Sequence, residues 1–158
     1  VLIGMPGSGK TTIGHALAEL TGREALDVDE AIVARAGKSI PDIFAQDGEP
    51  VFRDLERHET ANAGKLSGKI ILTGGGVVKD GRNYPSLHQN GRIYELSRSL
   101  DVLPTDGRPL SQTTDLHAMY AERAPMYTRF RDAQIDNNGA AADTAAAIWR
   151  DFCEHSGD

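Results

Sequence analysis

Gly4-Met5-Pro6-Gly7-Ser8-Gly9-Lys10-Thr11 carries the most specific chemistry in this 158-residue chain. The run fits the pattern G-x-x-x-x-G-K-[ST]. Glycines at 4, 7 and 9 let the backbone fold into a tight nest, because no Cβ blocks positive φ. The N–H groups of such a nest, together with the start of a following helix, face an anionic phosphate. Lys10 then reaches the outer phosphates of a nucleotide, and the Thr11 hydroxyl ligates Mg²⁺. The context agrees: Val1-Leu2-Ile3 forms an apolar lead-in, and Ile13, Leu17 and Leu20 follow at helical spacing.

A loop of this type serves GTPases, ATPases and kinases alike. The sequence has no N-K-x-D guanine-reading tetrapeptide and is short for a motor ATPase, which leaves a compact kinase with a small acceptor. Four further clusters bear on the acceptor. Asp27-Val28-Asp29, read as a strand end, aims two carboxylates the same way, beside Mg²⁺ and the acceptor; solvated strand-end acids are the alternative. In Phe52-Arg53-Asp54-Leu55-Glu56, Arg53 and Glu56 are three apart on a helix and can pair. An arginine held this way can offer its fork to a carboxylate, although an exposed ion pair reads the same in isolation. Gly74-Gly75-Gly76 at a strand end suggests close approach of a ligand to the backbone, with a plain turn as the alternative. Arg108, in the polar segment Asp106-Gly107-Arg108-Pro109-Leu110, sits where a lid could bring it over a transferring phosphate.

The elements that must position these groups alternate. Strands are expected at Val1–Ile3, Ala25–Val28, Ile70–Leu72, Arg92–Leu96 and Ala133–Asp136. Helices are expected from Lys10 to Leu20 with Gly22 as the stop, from Asp29, from Ser39 with Pro41 in the first turn, and over Glu49–Lys65, Asp115–Phe130 and Ala140–Glu154. Ser97–Thr114 reads as a loop. Alternation implies an α/β fold whose parallel sheet is covered on both faces, with ligands at the carboxyl ends of the strands. That rule puts Gly4, Asp27, Asp29 and Gly74–Gly76 on one rim.

Length suggests one domain over residues 1–158. The net charge of −6 disfavours a nucleic-acid partner but not a small anion held by local arginines. No apolar stretch approaches a membrane span. Cys153 is the only cysteine, which fits a reducing cytoplasm, and it reads as a semi-buried helix residue. His15 and His58 read as surface residues; Tyr120, Tyr127 and the Trp149–Phe152 pair read as packing. Only three residues of the opening strand are visible where about five are usual. A trimmed start and fusion to an upstream domain both remain open.

Taken together, Gly4–Thr12, Asp27-x-Asp29, Lys38-Ser39-Ile40 with Ile43-Phe44, Gly48-Glu49, Phe52-Arg53-x-x-Glu56, Gly74–Gly76, Arg108-Pro109-Leu110 and Glu122-Arg123-Ala124-Pro125-x-Tyr127 resemble the shikimate kinase family nearly end to end. The resemblance implies a three-layer α/β/α P-loop kinase fold, with a mostly five-stranded parallel sheet and a lid over about 99–114. It implies ATP-dependent phosphorylation of the 3-hydroxyl of shikimate in aromatic amino-acid biosynthesis, with Mg²⁺ as cofactor. Gly7, Ser8, Gly9, Lys10, Thr11 and Thr12 would hold the ATP phosphates, with Thr11 and Asp27 serving the metal. Asp29 would meet the hydroxyls of shikimate and take a catalytic role with Lys10 and Arg108. Arg53 and Arg123 would bind its carboxylate, and Gly75 and Gly76 would contact the ring substituents. A monomer is expected.

The chain also departs from the family. Glu95–Leu110 is shorter than in typical members, and Arg98 falls too early for the role of an adenine-packing arginine. Ser111 stands where a second leucine is common, and no adenine-contacting residue is assigned within 137–140. The short lid and clipped start also resemble kinase domains fused to other enzymes of the pathway. Two other readings compete with shikimate phosphorylation. Another small P-loop kinase, such as a gluconate kinase, is disfavoured by the paired arginines. A non-catalytic nucleotide-binding module is disfavoured by intact Lys10, Thr11 and Asp29.

Overall fold

The computed structural model describes residues 1–100 and 110–156, with side chains described to 100 and from 116 to 155. In chain order the elements are β1 (Leu2–Ile3), α1 (Lys10–Thr21), β2 (Ala25–Asp27), α2 (Val28–Ala36), α3 (Ile40–Gln46), α4 (Glu49–Gly64) and β3 (Ile70–Leu72). A 3₁₀ turn at Val77–Lys79 precedes α5 (Asn83–His88), β4 (Tyr94–Ser97), α6 (Leu110–Phe130), β5 (Ala133–Asp136) and α7 (Ala141–Ser156). The strands form a parallel sheet in the order β2-β3-β1-β4-β5.

Side chains alternate across a strand, so the central strands β1 and β3 feed two cores. Ile3, Ile71 and Ile93 point into one, with Ile32, Ile43, Phe52, Val77 and Tyr127. Leu2, Ile70, Leu72, Tyr94 and Leu96 point into the other, with Ile13 and Leu17 of α1 and Ile148 of α7. The result is a three-layer α/β/α sandwich, as expected. Central β1 lies between β3 and β4, so the loops that leave β1 and β3 are neighbours on one rim. Ligands of such sheets sit where the strand order reverses. Gly14 brings α1 close onto the sheet: a Cβ there would lie 2.5 Å from Leu72 Cδ2.

Several local signals act as expected. Gly22 ends α1 in the left-handed region at φ 72°, with its N–H bonded to Ala18 O. Ser39 caps α3, accepting from Asp42 N–H at 3.3 Å, with Pro41 in the first turn.

Several boundaries differ from the expected ones, and one helix is new. Val28 begins α2 rather than ending β2, because the Asp27 side chain caps the helix at that point. β4 covers Tyr94–Ser97 rather than Arg92–Leu96. α5 was not anticipated: it is short, and Pro85 breaks its pattern, yet Leu87 is buried and Asn83 Nδ2 donates to Val77 O at 2.9 Å. α6 starts at Leu110, so the loop expected over Ser97–Thr114 and the lid expected over 99–114 both end sooner. Extending a helix is far easier than starting one, and Leu116 anchors this one in the core. Among the described residues, no helix is long and apolar enough to cross a membrane.

Candidate active site

The loop after β1 takes the nest form. Gly7 and Gly9 hold φ of 79° and 98°, conformations that a Cβ would strain. Ser8 N–H donates to Met5 O at 3.0 Å and tightens the turn. Gly9 precedes α1, and no described side chain caps that terminus, so the first-turn N–H groups and the positive end of the helix dipole face an anion. Lys10 Nζ donates to Gly4 O at 2.7 Å and Met5 O at 3.0 Å, which holds the ammonium along the loop. Thr11 and Thr12 are exposed on the first turn.

Asp29 faces this loop from α2. It is the second residue of a helix, not a strand residue. Asp27 Oδ1 accepts from Asp29 N–H at 2.9 Å and Glu30 N–H at 3.3 Å. Asp29 Oδ1 is buried without a hydrogen-bond partner among the described residues. Burial, and then the charge of Asp27, push the Asp29 carboxyl above the usual carboxylate range; Lys10 and Arg53 pull the other way. That opposition places Lys10 of the phosphate loop and Arg53 of α4 within the electrostatic reach of one carboxylate.

Arg53 is held from two sides. Its Nη1 donates to Glu56 Oε1 at 2.8 Å, and its Nε donates to Glu49 Oε1 at 3.3 Å. Glu49 Oε1 also accepts from Lys79 at 2.9 Å. Glu56 is 1% exposed, and its Oε2 has no hydrogen-bond partner among the described residues. Burial raises its pKa while Arg53 and, more weakly, Arg123 lower it, so Glu56 lies in the field of both arginines. Arg123 is itself buried on α6.

The three glycines after β3 form the floor between these groups. A Cβ on Gly74 would lie 2.8 Å from Asp29 Oδ1, and one on Gly75 would lie 2.7 Å from Pro6 Cδ of the phosphate loop. One on Gly76 would lie 2.5 Å from Arg53 Nη1. The close approach inferred for this triplet is thus made by the protein's own groups. Removing three side chains brings a carboxylate, a guanidinium and the phosphate loop onto one strip of backbone.

The chain as a whole has counterparts. The sequence profile described as shikimate kinase matches residues 6–153. The chain belongs to the shikimate kinase family. A shikimate kinase of Stenotrophomonas maltophilia is 41% identical over 156 residues, covering 93% of this chain and 87% of that protein. One from Xanthomonas oryzae is 39% identical over 161 residues, covering 95% and 89%. A shikimate kinase of Acinetobacter baumannii, solved in complex with shikimate, superposes with a TM-score of 0.91 at 33% identity, covering 99% of this chain and 93% of that one. Family membership makes the chain a kinase.

Within that family frame, two residues outside the sequence-based site touch its loops. Tyr127, expected only to pack, is fully buried, and its hydroxyl donates to Gly75 O at 2.6 Å. Asn137, in the stretch 137–140 where no residue was assigned, donates from Nδ2 to Ser8 O at 2.7 Å. Signals existed for both: Tyr127 lies one helical turn after Arg123, and Asn137 follows β5 at the ligand-bearing end of the sheet. Arg108 and most of the expected lid lie outside the described residues. Away from the site, His15 and His58 are exposed as expected, whereas Cys153 is exposed rather than semi-buried. Trp149 and Phe152 stack at 5.6 Å with Arg23 over both rings, a partly buried edge cluster rather than deep core.

The donor set suits Mg²⁺ shared with a nucleotide. No group of three or more His, Cys, Asp or Glu among the described residues could hold a metal alone. Thr11 offers a hydroxyl, and Asp27 offers the carboxylate oxygen not used in its helix cap. Mg²⁺ keeps most of its waters and takes one or two protein ligands plus phosphate oxygens.

Proposed function

We propose that this site transfers the γ-phosphoryl group of ATP to the 3-hydroxyl of shikimate, giving shikimate 3-phosphate and ADP. The observation that carries the reading is the convergence of Asp29, Arg53 and Pro6 of the phosphate loop on Gly74–Gly76. Acceptor and donor groups therefore share one strip of backbone.

Shikimate is a ring with one carboxylate and three hydroxyls. Arg53 and Arg123 fix the carboxylate, and Glu56 balances their charge and holds the Arg53 fork in place. Gly75 and Gly76 lie against the ring substituents. The phosphate loop residues Gly7–Thr12 bind the phosphates through backbone N–H groups. Thr11 and Asp27 would hold Mg²⁺, which when bound neutralises charge on the β- and γ-phosphate oxygens.

Asp29 accepts the proton of the 3-hydroxyl as its oxygen bonds to the γ-phosphorus and the bond to the bridging oxygen of ADP breaks. A carboxyl with a raised pKa suits this role, since a base works best with a pKa near the working pH. Lys10, with Arg108 from the lid, meets the charge that builds on the transferring group. All of these groups come from one chain, which fits a monomer, and an exposed free thiol at Cys153 suits a reducing cytoplasm.

A coupled ADP-release assay with shikimate, with gluconate and with no acceptor tests the reading. Release that depends on shikimate alone is expected. Faster release with gluconate, or release indifferent to any acceptor, would count against it.

A further inference from the structure

We propose that Tyr127 and Asn137 are positioning residues, one for each half of the site, and that each works by holding a backbone carbonyl on the side away from the ligand. The inference deepens the kinase reading and rests on it.

The physical device is the planar trans peptide. Its C=O and N–H point in opposite directions, so a carbonyl fixed on one side commits the next residue's N–H to the other. No peptide bond among the described residues is cis. Asn137 Nδ2 donates to Ser8 O at 2.7 Å, which turns the Gly9 N–H away from Asn137 and into the phosphate nest. Asn137 is itself fixed: its Oδ1 accepts from Thr144 Oγ1 at 2.9 Å, and its backbone N–H donates to Ser97 O at 2.7 Å. Room for the amide exists because residue 9 is glycine; a Cβ there would lie 2.4 Å from Asn137 Nδ2.

Tyr127 does the same on the acceptor side. Its hydroxyl donates to Gly75 O at 2.6 Å, turning the Gly76 N–H the opposite way, in the loop that underlies Arg53. Arg123, one helical turn earlier on α6, lies within electrostatic reach of the hydroxyl, so the tyrosine adjoins both the floor and one arginine of the proposed acceptor pocket. Burial pushes this phenol up to about 12, which keeps it a donor at working pH.

The two residues act on different loops, so their removal should separate the two substrates. Steady-state ADP release, with ATP and shikimate varied in turn, reads this in the unmodified enzyme, Tyr127→Phe, Asn137→Ala and Asn137→Ser. Tyr127→Phe should raise KM for shikimate roughly tenfold while leaving KM for ATP near its original value. Asn137→Ala should do the reverse by a similar factor, with partial rescue by serine, which keeps a donor. Loss of packing alone would lower the melting temperature and the active fraction without splitting the two KM values. Equal changes in both KM values, or no change in either, overturns the proposal. Calorimetric titration of ADP with Mg²⁺ gives a readout independent of the acceptor: binding should weaken in Asn137→Ala and hold in Tyr127→Phe. If the unmodified enzyme ignores shikimate, the kinase reading fails, yet this titration still decides the role of Asn137.

Discussion

The phosphate half of the site is contiguous, and the acceptor half is assembled. Gly4–Thr12 forms the first from one turn and one helix start. The second, as proposed, draws on Asp29 from α2, Arg53 and Glu56 from α4, Gly74–Gly76 after β3, and Arg123 with Tyr127 from α6. The local motif takes all its ligand-facing groups from one stretch of chain, steadied from outside by Asn137. A dispersed pocket exists only when the sheet order and the helix packing are right, so its function depends on tertiary structure. The two halves should therefore fail differently when perturbed.

The largest effect should come where they meet. Asp29→Asn keeps size and hydrogen-bonding reach but removes the proposed base. Turnover should fall by about 10²- to 10⁴-fold, with KM for shikimate and for ATP little changed. Similar losses in turnover and in shikimate binding would reduce Asp29 to a positioning group. The same variant tests stability. The folded-state pKa of Asp29 is raised, so its contribution is most favourable below the ordinary carboxylate pKa and is lost as pH rises through the raised value. Asp29→Asn should then melt at a higher temperature than the unmodified enzyme at neutral pH, and less so in acid.

Arg53→Lys should break the acceptor half alone. Lysine keeps the charge but loses the fork that meets Glu56 and a carboxylate together. KM for shikimate should rise by roughly 10- to 100-fold, with KM for ATP unmoved. Gly76→Ala sharpens the comparison with a smaller insult: its methyl would lie 2.5 Å from Arg53 Nη1, so the guanidinium must shift. Because that group ends a flexible side chain, a several-fold rise in KM for shikimate is expected, on the order of one weakened hydrogen bond. The mildest lever is pH. Turnover should decline as pH falls through the raised pKa of Asp29, because the protonated carboxyl cannot accept a proton. A profile flat down to the ordinary carboxylate range would contradict the role of Asp29.

The same contrast explains what the sequence revealed. Gly4, Gly7, Gly9, Lys10 and Thr11 identify their chemistry from order alone, and the alternating strands gave the layered sheet. Asp29, Arg53 and Arg123 stood out only as a set, because a helical Arg–Glu pair or a lone arginine before Ala-Pro has no unique meaning. Asp27 illustrates a limit: period-two reasoning placed Asp27 and Asp29 on one strand face, but the Asp27 carboxylate caps α2 and moves Asp29 onto the helix. Tyr127 and Asn137 escaped because their partners, Gly75 O and Ser8 O, lie 52 and 129 residues away. Backbone carbonyls carry no side-chain signature, so the local pattern marks where Tyr127 and Asn137 lie but not what they bind.

The most direct test compares ADP release with shikimate and with its methyl ester, which keeps the 3-hydroxyl but cancels the charge that Arg53 and Arg123 are proposed to clamp. The account predicts turnover with shikimate and a loss of roughly 100-fold or more in kcat/KM for the ester, as expected when half-buried Arg53 and buried Arg123 lose an ionic partner. Equal kcat/KM for acid and ester would contradict it.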